Sequence, residues 1–304
     1  MSDHSVKLSW IRSPWTCWIT ISGPSHLRFI QGLCSNDVVS LAVGRGVEAY
    51  VPTVQGKVLG HGFFWKSDDR LEFAGLGDQA DALLSHLQKY AMIEDVEVTE
   101  QSESDDTLFL WGDAVEAFIR ETFGDTDVAS GEHVEASYEG EPVHLFRFSN
   151  LSVDAVAIRG PGVSSLVAKL PEREVTEANS EAWDAVRVAG RFPLHGVDIT
   201  AEHLAQEVNR DDQAISFTKG CYLGQETVAR IDAMGHVNKK LVTVKVDRPV
   251  ESLPQPIEVD GKQIGQITSL VEVDGQQVGL AMIRRSHNAA GTSIASAWGT
   301  VDVL

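Results

Sequence analysis

Hydrophobic and polar positions along this 304-residue chain predict short strands interleaved with a few helices. Residues 15–22 alternate as a strand, and residues 25–33 follow a Gly-Pro break as a short helix. Three strand-like runs lie between residues 47 and 73, with Gln55-Gly56 as a hairpin turn. An apolar stripe over residues 78–92 is typical of an amphipathic helix. This order resembles a ferredoxin-like unit.

A second unit of similar order follows, and then the pattern changes to strands alone. The second unit is predicted to contain strands at 107–111, 133–138, 143–148 and 152–158, and helices at 113–123, 163–170 and 183–189. From Lys240 onward short alternating runs are separated by Asp260-Gly261 and Asp274-Gly275, which are strong hairpin signals. We expect a small barrel of about six strands at the C-terminus.

Composition narrows the class of protein. The length suits two or three domains, and 43% hydrophobic residues is ordinary for a globular chain. No apolar run approaches the roughly 18 residues of a membrane span, and the first residues lack the pattern of a secretory signal. Three widely spaced cysteines suit a reducing compartment. These features predict a cytoplasmic protein with no membrane partner.

The net charge of −19 argues against a nucleic-acid partner. Sixteen Asp and Glu against one Arg lie within residues 94–141, whereas residues 205–240 carry five acids and five Lys or Arg. The acidic segment is interpreted as a solvated face, and a docking surface for a basic partner is the alternative.

The most concentrated chemistry lies at residues 217–230, which read Phe-Thr-Lys-Gly-Cys-Tyr-Leu-Gly-Gln-Glu-Thr-Val-Ala-Arg. Two glycines flank Cys221, and the pattern becomes helical after Gly224, so we predict a tight turn and a helix start. A thiol near a helix N-terminus and beside Lys219 should have a lowered pKa. Together with Gln225 and Glu226, these residues form a candidate reactive set. The alternative is that Cys221 is a small buried hydrophobic residue.

No metal site is predicted from the sequence, at this thiol or elsewhere. The cysteines show no Cys-x-x-Cys spacing, no His-x-x-x-His pair stands nearby, and His236 lies fifteen residues away. A single thiolate could ligate a cluster together with a partner's ligands, form a mixed disulfide or attack an electrophile.

The Lys-Gly-Cys-Tyr-x-Gly-Gln-Glu run with its following Val-Ala-Arg closely resembles the signature of YgfZ-type folate-binding proteins. These proteins are relatives of the glycine-cleavage T-protein, an aminomethyltransferase, and include mitochondrial iron–sulfur assembly factors. The resemblance implies an α+β, T-protein-like ring of three domains around a central channel. Two ferredoxin-like units and a C-terminal β-barrel would make up that ring. Its domains would be residues 1–22 with 104–235, which bind folate, then 23–103 and 236–304.

The resemblance also implies which residues bind tetrahydrofolate or a derivative. Gln31-Gly32-Leu33 and Asn36-Asp37-Val38 match an element beside the folate site, which makes Asn36 and Asp37 candidates. Glu207 matches a glutamate that hydrogen-bonds the pterin, a role that suits an acceptor-only carboxylate. Without the resemblance it would be interpreted as a surface residue. Arg187 and Arg230 match arginines near the channel, where they would bind the folate tail or form structural ion pairs.

Aligning Gln55-Gly56 on the corresponding turn of the T-protein puts Gly60 and His61 where that enzyme has its catalytic acid. An imidazole cannot supply the same fixed negative charge. The resemblance therefore implies a folate-binding protein that supports iron–sulfur cluster assembly or repair, with iron–sulfur client or assembly proteins as partners. A folate-dependent aminomethyl or one-carbon transferase is one alternative. A non-catalytic scaffold is another.

Overall fold

The computed structural model describes residues 8–101, 107–124 and 126–304. The start of the predicted first domain (1–7) and part of the acidic segment (102–106 and 125) lie outside the described residues. Strands and helices are mixed throughout, so the predicted α+β class is confirmed.

A first sheet forms from residues 15–100. The elements up to this point are Ser9–Arg12 (β1), Trp15–Ser22 (β2), His26–Gln31 (α1), Gly46–Pro52 (β3), Val58–Lys66 (β4), Arg70–Leu76 (β5), Ala80–Ala91 (α2) and Glu97–Glu100 (β6). The first sheet has the order β3-β4-β5-β2-β6. Leu83 and Leu87 of α2 are fully buried against it, as the apolar stripe of the helix predicts.

A second sheet forms mainly from residues 107–177. Its further elements are Thr107–Trp111 (β7), Val115–Phe123 (α3), His133–Tyr138 (β8), Glu141–Phe148 (β9), Ala155–Arg159 (β10), Val163–Lys169 (α4), Thr176–Glu177 (β11) and Ser180–Ala189 (α5). The strand order is β11-β1-β7-β10-β9-β8, so β1 lies in this sheet.

This pairing bears on the predicted domain boundary at residue 22. Ser9–Arg12 pairs with β7 and β11, whereas Trp15–Ser22 pairs with β5 and β6 of the first sheet. The chain therefore changes sheet between Arg12 and Trp15. Alternation alone cannot show this, because both strands have the same period and only their partners differ.

Aromatic side chains fill the space between the first and second sheets. Trp15 and Phe63 come from the first sheet, and Phe109 and Phe148 come from the second. The rings of Trp15 and Phe148 stack with centroids 4.4 Å apart. Burying each such side chain contributes about 1.5–3 kcal/mol, so the two sheets form one packed body.

The C-terminal part begins with two helices and then forms a third sheet. Its elements are Asp211–Ala214 (α6), Gln225–Met234 (α7), Lys239–Val246 (β12), Gln255–Val259 (β13), Lys262–Val273 (β14), Gln276–Arg284 (β15), Ser293–Ser296 (β16) and Gly299–Val303 (β17). The order is β13-β14-β15-β12-β17-β16. Trp298 Nε1 donates to the Pro256 carbonyl at 2.9 Å across the two edges, so the sheet is nearly closed. The six-stranded barrel-like unit is confirmed.

The two Asp-Gly turns of this unit have the predicted geometry. Asp260 and Gly261 have φ of 50° and 70°, and Asp274 and Gly275 have φ of 51° and 73°. Positive φ at both central residues is the form that matches the twist of a hairpin.

The acidic segment is solvated. Every Asp and Glu between residues 94 and 141 that the structure describes is exposed or half-buried. Several pair with surface arginines, for example Glu132 with Arg45 at 2.6 Å. Whether this face also docks a partner stays a prediction.

Candidate functional site

The signature residues form the predicted turn and helix. Gly224 has φ of 80°, a left-handed conformation that favours glycine, and α7 begins directly after it at Gln225. Cys221 is exposed in the loop that precedes this turn. Gln225 is half-buried, and Glu226 and Arg230 are exposed along α7. Cys221 is therefore accessible and is not the buried hydrophobic residue of the alternative interpretation.

Lys219 turns inward instead of facing the Cys221 thiol. It is buried, and its Nζ donates to the Cys34 carbonyl at 2.9 Å and the Asn36 carbonyl at 2.6 Å. The same ammonium lies 3.7 Å from Cys34 Sγ and 5.2 Å from the ring of Tyr222. Burial lowers the pKa of Lys219, and the nearby Cys34 opposes that shift. The predicted action of Lys219 on Cys221 is wrong, because the ammonium bonds the loop at residues 34–36.

Asn36 and Asp37 shape that loop through their own hydrogen bonds. Asn36 Nδ2 donates to the carbonyls of Glu48 and Gln213 at 2.8 and 2.9 Å. Asp37 accepts from Ser40 Oγ at 2.6 Å and from Gln31 Nε2 at 2.9 Å, and the bond from Ser40 is the main reason that its pKa is lowered. Both side chains thus fix the surface against which Lys219 lies.

A hairpin turn at residues 53–57 supports two parts of the candidate site. A Cβ on Gly56 would lie 2.8 Å from Thr227 Cβ, and one on Gly224 would lie 2.4 Å from the Thr53 carbonyl. The signature turn therefore packs directly on this hairpin. On the other side, Ala205 N donates to the Gly56 carbonyl at 3.2 Å. The turn thus contacts both the Cys221 loop and the 3₁₀ turn at residues 205–207.

Glu207 lies at the end of that 3₁₀ turn and is only 6% exposed. Its Oε2 accepts from Leu204 N at 3.0 Å and lies 3.8 Å from Lys239 Nζ. Burial raises the pKa of Glu207, although the Leu204 bond and the charge of Lys239 oppose the shift. The neighbouring Gln206 Nε2 donates to the Val228 carbonyl of α7 at 2.8 Å. Glu207 is therefore a buried carboxylate tied to the signature helix, not a surface residue.

Arg187 is buried within structural contacts. Its nitrogens donate to Asp184 at 2.5 Å, to Asp198 at 2.7 Å and to Ser269 Oγ at 2.9 Å. These bonds join α5 to the barrel-like sheet. Of the two roles considered for this arginine, the structure contains the ion pair.

Sequence reasoning missed a buried ionic cluster formed by Glu48, His61 and Arg210. Arg210 binds both carboxylate oxygens of Glu48 at 2.5 and 2.7 Å, and His61 Nε2 lies 2.8 Å from the same carboxylate. Burial is the largest influence on Glu48 and raises its pKa, but Arg210 and His61 outweigh it and lower the pKa to about 2. A lone carboxylate within the apolar run of β3 was the available signal, because buried charges need partners.

Gly60 and His61 stand where the alignment with the T-protein puts that enzyme's catalytic acid, and His61 belongs to this ionic cluster. A Cβ at Gly60 would lie 3.1 Å from Leu83 in an apolar core, so this position faces away from the cluster. His61 faces Glu48 and Phe192, and burial lowers its pKa. The only carboxylate bonded to His61 among the described residues is Glu48, which already binds Arg210.

Among the described residues, no helix is long and apolar enough to cross a membrane.

Comparisons with known proteins agree with the signature. No protein-family model matches the sequence. The chain is 27% identical over 223 residues to the tRNA-modifying protein YgfZ of Yersinia enterocolitica, covering 73% of this chain and 66% of that protein. It is 28% identical over 246 residues to the YgfZ of Photobacterium profundum, covering 80% and 71%. A putative chloroplastic transferase of Arabidopsis thaliana is 23% identical over 283 residues, covering 91% and 65%.

The fold matches a solved structure. The glycine cleavage system aminomethyltransferase T of Bartonella henselae superposes with a TM-score of 0.86 over 98% of this chain and 85% of that one, at 16% identity. At that identity the match shows the fold alone. The chain spans about two thirds of the length of the first curated relatives. The chain is therefore similar in sequence to YgfZ proteins and has the fold of the glycine-cleavage T-protein.

Proposed function

We propose that this protein binds tetrahydrofolate or a derivative and supports iron–sulfur cluster assembly or repair, with Cys221 as a reactive thiol. The observation that carries the proposal is the shared hairpin at residues 53–57. An exposed thiol in one loop and a buried carboxylate in another segment both rest on it. Kinship to YgfZ proteins supplies the ligand class, and a cytoplasmic location remains part of the proposal.

Glu207 is the proposed pterin-binding group. A buried carboxylate is poorly solvated, which is why its pKa is raised. A ligand that presents two parallel N–H donors, as a pterin does, would replace the missing water and favour the charged form. We infer that Asn36, Asp37 and Arg187 act by holding the surrounding segments, since their polar groups bond within the protein. Arg230 is exposed and remains the candidate for the carboxylates of the folate tail.

Cys221 is the proposed reaction or contact point with an iron–sulfur client. Two further groups of the candidate set, Gln225 and Glu226, follow this loop in the first turn of α7. A helix N-terminus favours negative charge and would stabilise a ligated anion close to it. Lys219 acts differently, because its ammonium joins this loop to residues 34–36.

Aminomethyl transfer is the second candidate function, and the T-protein fold favours it. The position of His61 argues against it, because the imidazole is buried and its nearest carboxylate binds an arginine. A developing cation on a folate nitrogen needs a fixed negative charge nearby. Glycine-cleavage activity with a lipoyl carrier protein would establish this function and contradict the first.

Calorimetric titration with tetrahydrofolate tests the ligand. The wild type should bind one equivalent, and Glu207→Gln should weaken binding at least tenfold, because the amide loses the charge but can still accept from Leu204 N. Glu226→Gln is the matched control, since this exposed glutamate should not contact the pterin. Equal affinity in all three proteins would contradict the role of Glu207. No binding to the wild type would leave the vestigial scaffold as the better interpretation.

A Cys221→Ala variant tests the thiol separately. It should keep tetrahydrofolate affinity and lose rescue of an iron–sulfur enzyme in cells that lack the protein. Cys17 and Cys34 are buried and serve as internal controls, because their replacement by Ala should leave the Cys221 chemistry intact. Full rescue by Cys221→Ala would refute the proposed role. Direct tRNA binding is not part of the proposal, since a net charge of −19 opposes contact with a phosphate backbone.

A further inference from the structure

Three side chains that can bind metal meet between the first and second sheets, apart from the signature loop. Glu72 lies on β5, His133 on β8 and His144 on β9. One ligand-type atom from each lies within 4.8 Å of the others. Glu72 and His144 also line a cavity of about 330 Å³.

The hydrogen bonds of the two imidazoles determine where their protons lie. His133 Nε2 is 2.9 Å from the Lys66 carbonyl, which can only accept, so Nε2 carries the proton of this ring. His133 Nδ1 is then an acceptor, and it lies 2.6 Å from His144 Nε2, which must donate. In a neutral His144, the Nδ1 atom is left with a lone pair. That lone pair faces Glu72 Oε2 at 3.5 Å.

A neutral His144 has one ring N–H, which it donates to His133, so it has none to donate to Glu72. Its Nε2 faces His133 and its Nδ1 faces Glu72, and both neighbours present an acceptor. A nitrogen lone pair and a carboxylate oxygen therefore face each other, and a cation between them would relieve the repulsion.

The geometry suits a metal ion. Two ligand atoms bound tetrahedrally to zinc at about 2.05 Å lie about 3.4 Å apart, close to the separation of His144 Nδ1 and Glu72 Oε2. A metal-binding histidine usually donates its second ring N–H to an acceptor that fixes its orientation, as His144 does to His133. Mixed imidazole and carboxylate ligands favour zinc and similar divalent ions.

Two arginines lie close to this cluster and oppose a cation. Arg70 Nε is 3.6 Å from Glu72 Oε2, and the same guanidinium bonds Asp69 and Glu135 at the surface. Arg159 lines the cavity and stacks 4.6 Å above the ring of Trp18. A metal ion would thus compete with Arg70 for Glu72, and removing that arginine should strengthen metal binding.

We propose that His144 Nδ1 and Glu72 bind one zinc or similar divalent ion at the junction of the first and second sheets. His133 is a positioning residue that fixes the tautomer of His144, and water completes the coordination. The ion links β5 to β9 and so joins the two sheets. The site is independent of the proposed folate function.

Zinc titration of the full chain after EDTA treatment tests the proposal. We expect one equivalent in the wild type, at least 100-fold weaker binding in His144→Gln and Glu72→Gln, and about 10–100-fold weaker binding in His133→Gln. Arg70→Gln should bind several-fold more tightly. His236→Gln removes an exposed histidine and should bind as the wild type does. Cobalt absorption would report a nitrogen–oxygen site by its visible bands.

Two further measurements keep the test decisive. Zinc should raise the melting temperature of the wild type and not that of Glu72→Gln. Because Gln has nearly the size of Glu, this variant keeps the test valid if His144→Gln folds poorly. A Cys221→Ala variant shows whether any zinc is bound by the exposed thiol. This variant should still bind the one equivalent of zinc that we assign to His144. Wild-type affinity in both His144→Gln and Glu72→Gln, or loss of binding only in Cys221→Ala, would overturn the proposal.

Discussion

Replacing Arg210 with Gln tests whether the buried ionic cluster stabilises the fold. Arg210 donates two hydrogen bonds to Glu48, and it also donates to the backbone carbonyls of Gly190, Arg191 and Asn150. The variant keeps a carboxylate in the interior with only the neutral His61 beside it. Breaking a buried ion pair by removing one partner costs about 3–5 kcal/mol.

The pKa of Glu48 gives a second route to the magnitude. It lies at about 2, below an ordinary value of 4.5, and a difference of this size corresponds to roughly 3 kcal/mol. Because the unfolded chain binds more protons between these values, this stabilisation is complete above pH 4.5 and is lost as the pH falls towards 2. In Arg210→Gln, only the hydrogen bond from His61 opposes the effect of burial, so the pKa of Glu48 should rise above 4.5. The variant should therefore lose stability as the pH rises.

Urea unfolding followed by tryptophan fluorescence at pH 8 and pH 5 measures both effects. We expect a loss of about 3–4 kcal/mol at pH 8 and a smaller loss at pH 5. Arg230→Gln is the matched control, because this exposed arginine should contribute less than about 0.5 kcal/mol. A loss below about 1 kcal/mol at pH 8, or equal losses at both pH values, would refute the assignment of Glu48 as a charge held by Arg210.

Three further predictions follow from the described contacts. Gly224→Ala should destabilise the protein by at least about 1–2 kcal/mol, because a Cβ would lie 2.4 Å from the Thr53 carbonyl at positive φ, whereas Gly220→Ala has nothing within 4 Å and should be neutral in thermal melts. Native alkylation with iodoacetamide should modify Cys221 alone, and mass spectrometry showing equal labelling of Cys34 would contradict its burial. Burial lowers the pKa of His203 to about 4, so its contribution makes stability fall as the pH drops from 6.5 to 4. His203→Gln should flatten that slope in acid titrations, and an unchanged slope would exclude this cause.

Local features were predicted from sequence where one short pattern determines the structure. The Asp-Gly turns, the helix start after Gly224 and the six C-terminal strands each depend on neighbouring residues, and all three are present. Partners that are distant in sequence were not predicted. Arg210 lies 162 positions from Glu48, and Lys219 lies 185 positions from Cys34. Such pairs depend on how the sheets pack, which periodicity does not encode.

The candidate site shows the same division. The residue pattern indicated Cys221, and only the family resemblance indicated Glu207. The structure contains an exposed thiol and a buried carboxylate there, and the roles of both stay predictions. The direction of Lys219 could not be predicted, because a long flexible side chain can reach several carbonyls with equal local geometry. The sheet assignment of Trp15–Ser22 depended likewise on partners that the strand itself does not specify.

The hairpin at residues 53–57 has a consequence for communication within the molecule. Its backbone contacts the Cys221 loop through Gly224 and the 3₁₀ turn at residues 205–207 through Ala205. The glycine contacts are too close to leave room for a Cβ. A small molecule that shifts the turn at residues 205–207 should therefore also shift the hairpin and, through it, the loop that carries the Cys221 thiol. Binding of a ligand at Glu207 should therefore change the rate at which Cys221 is alkylated.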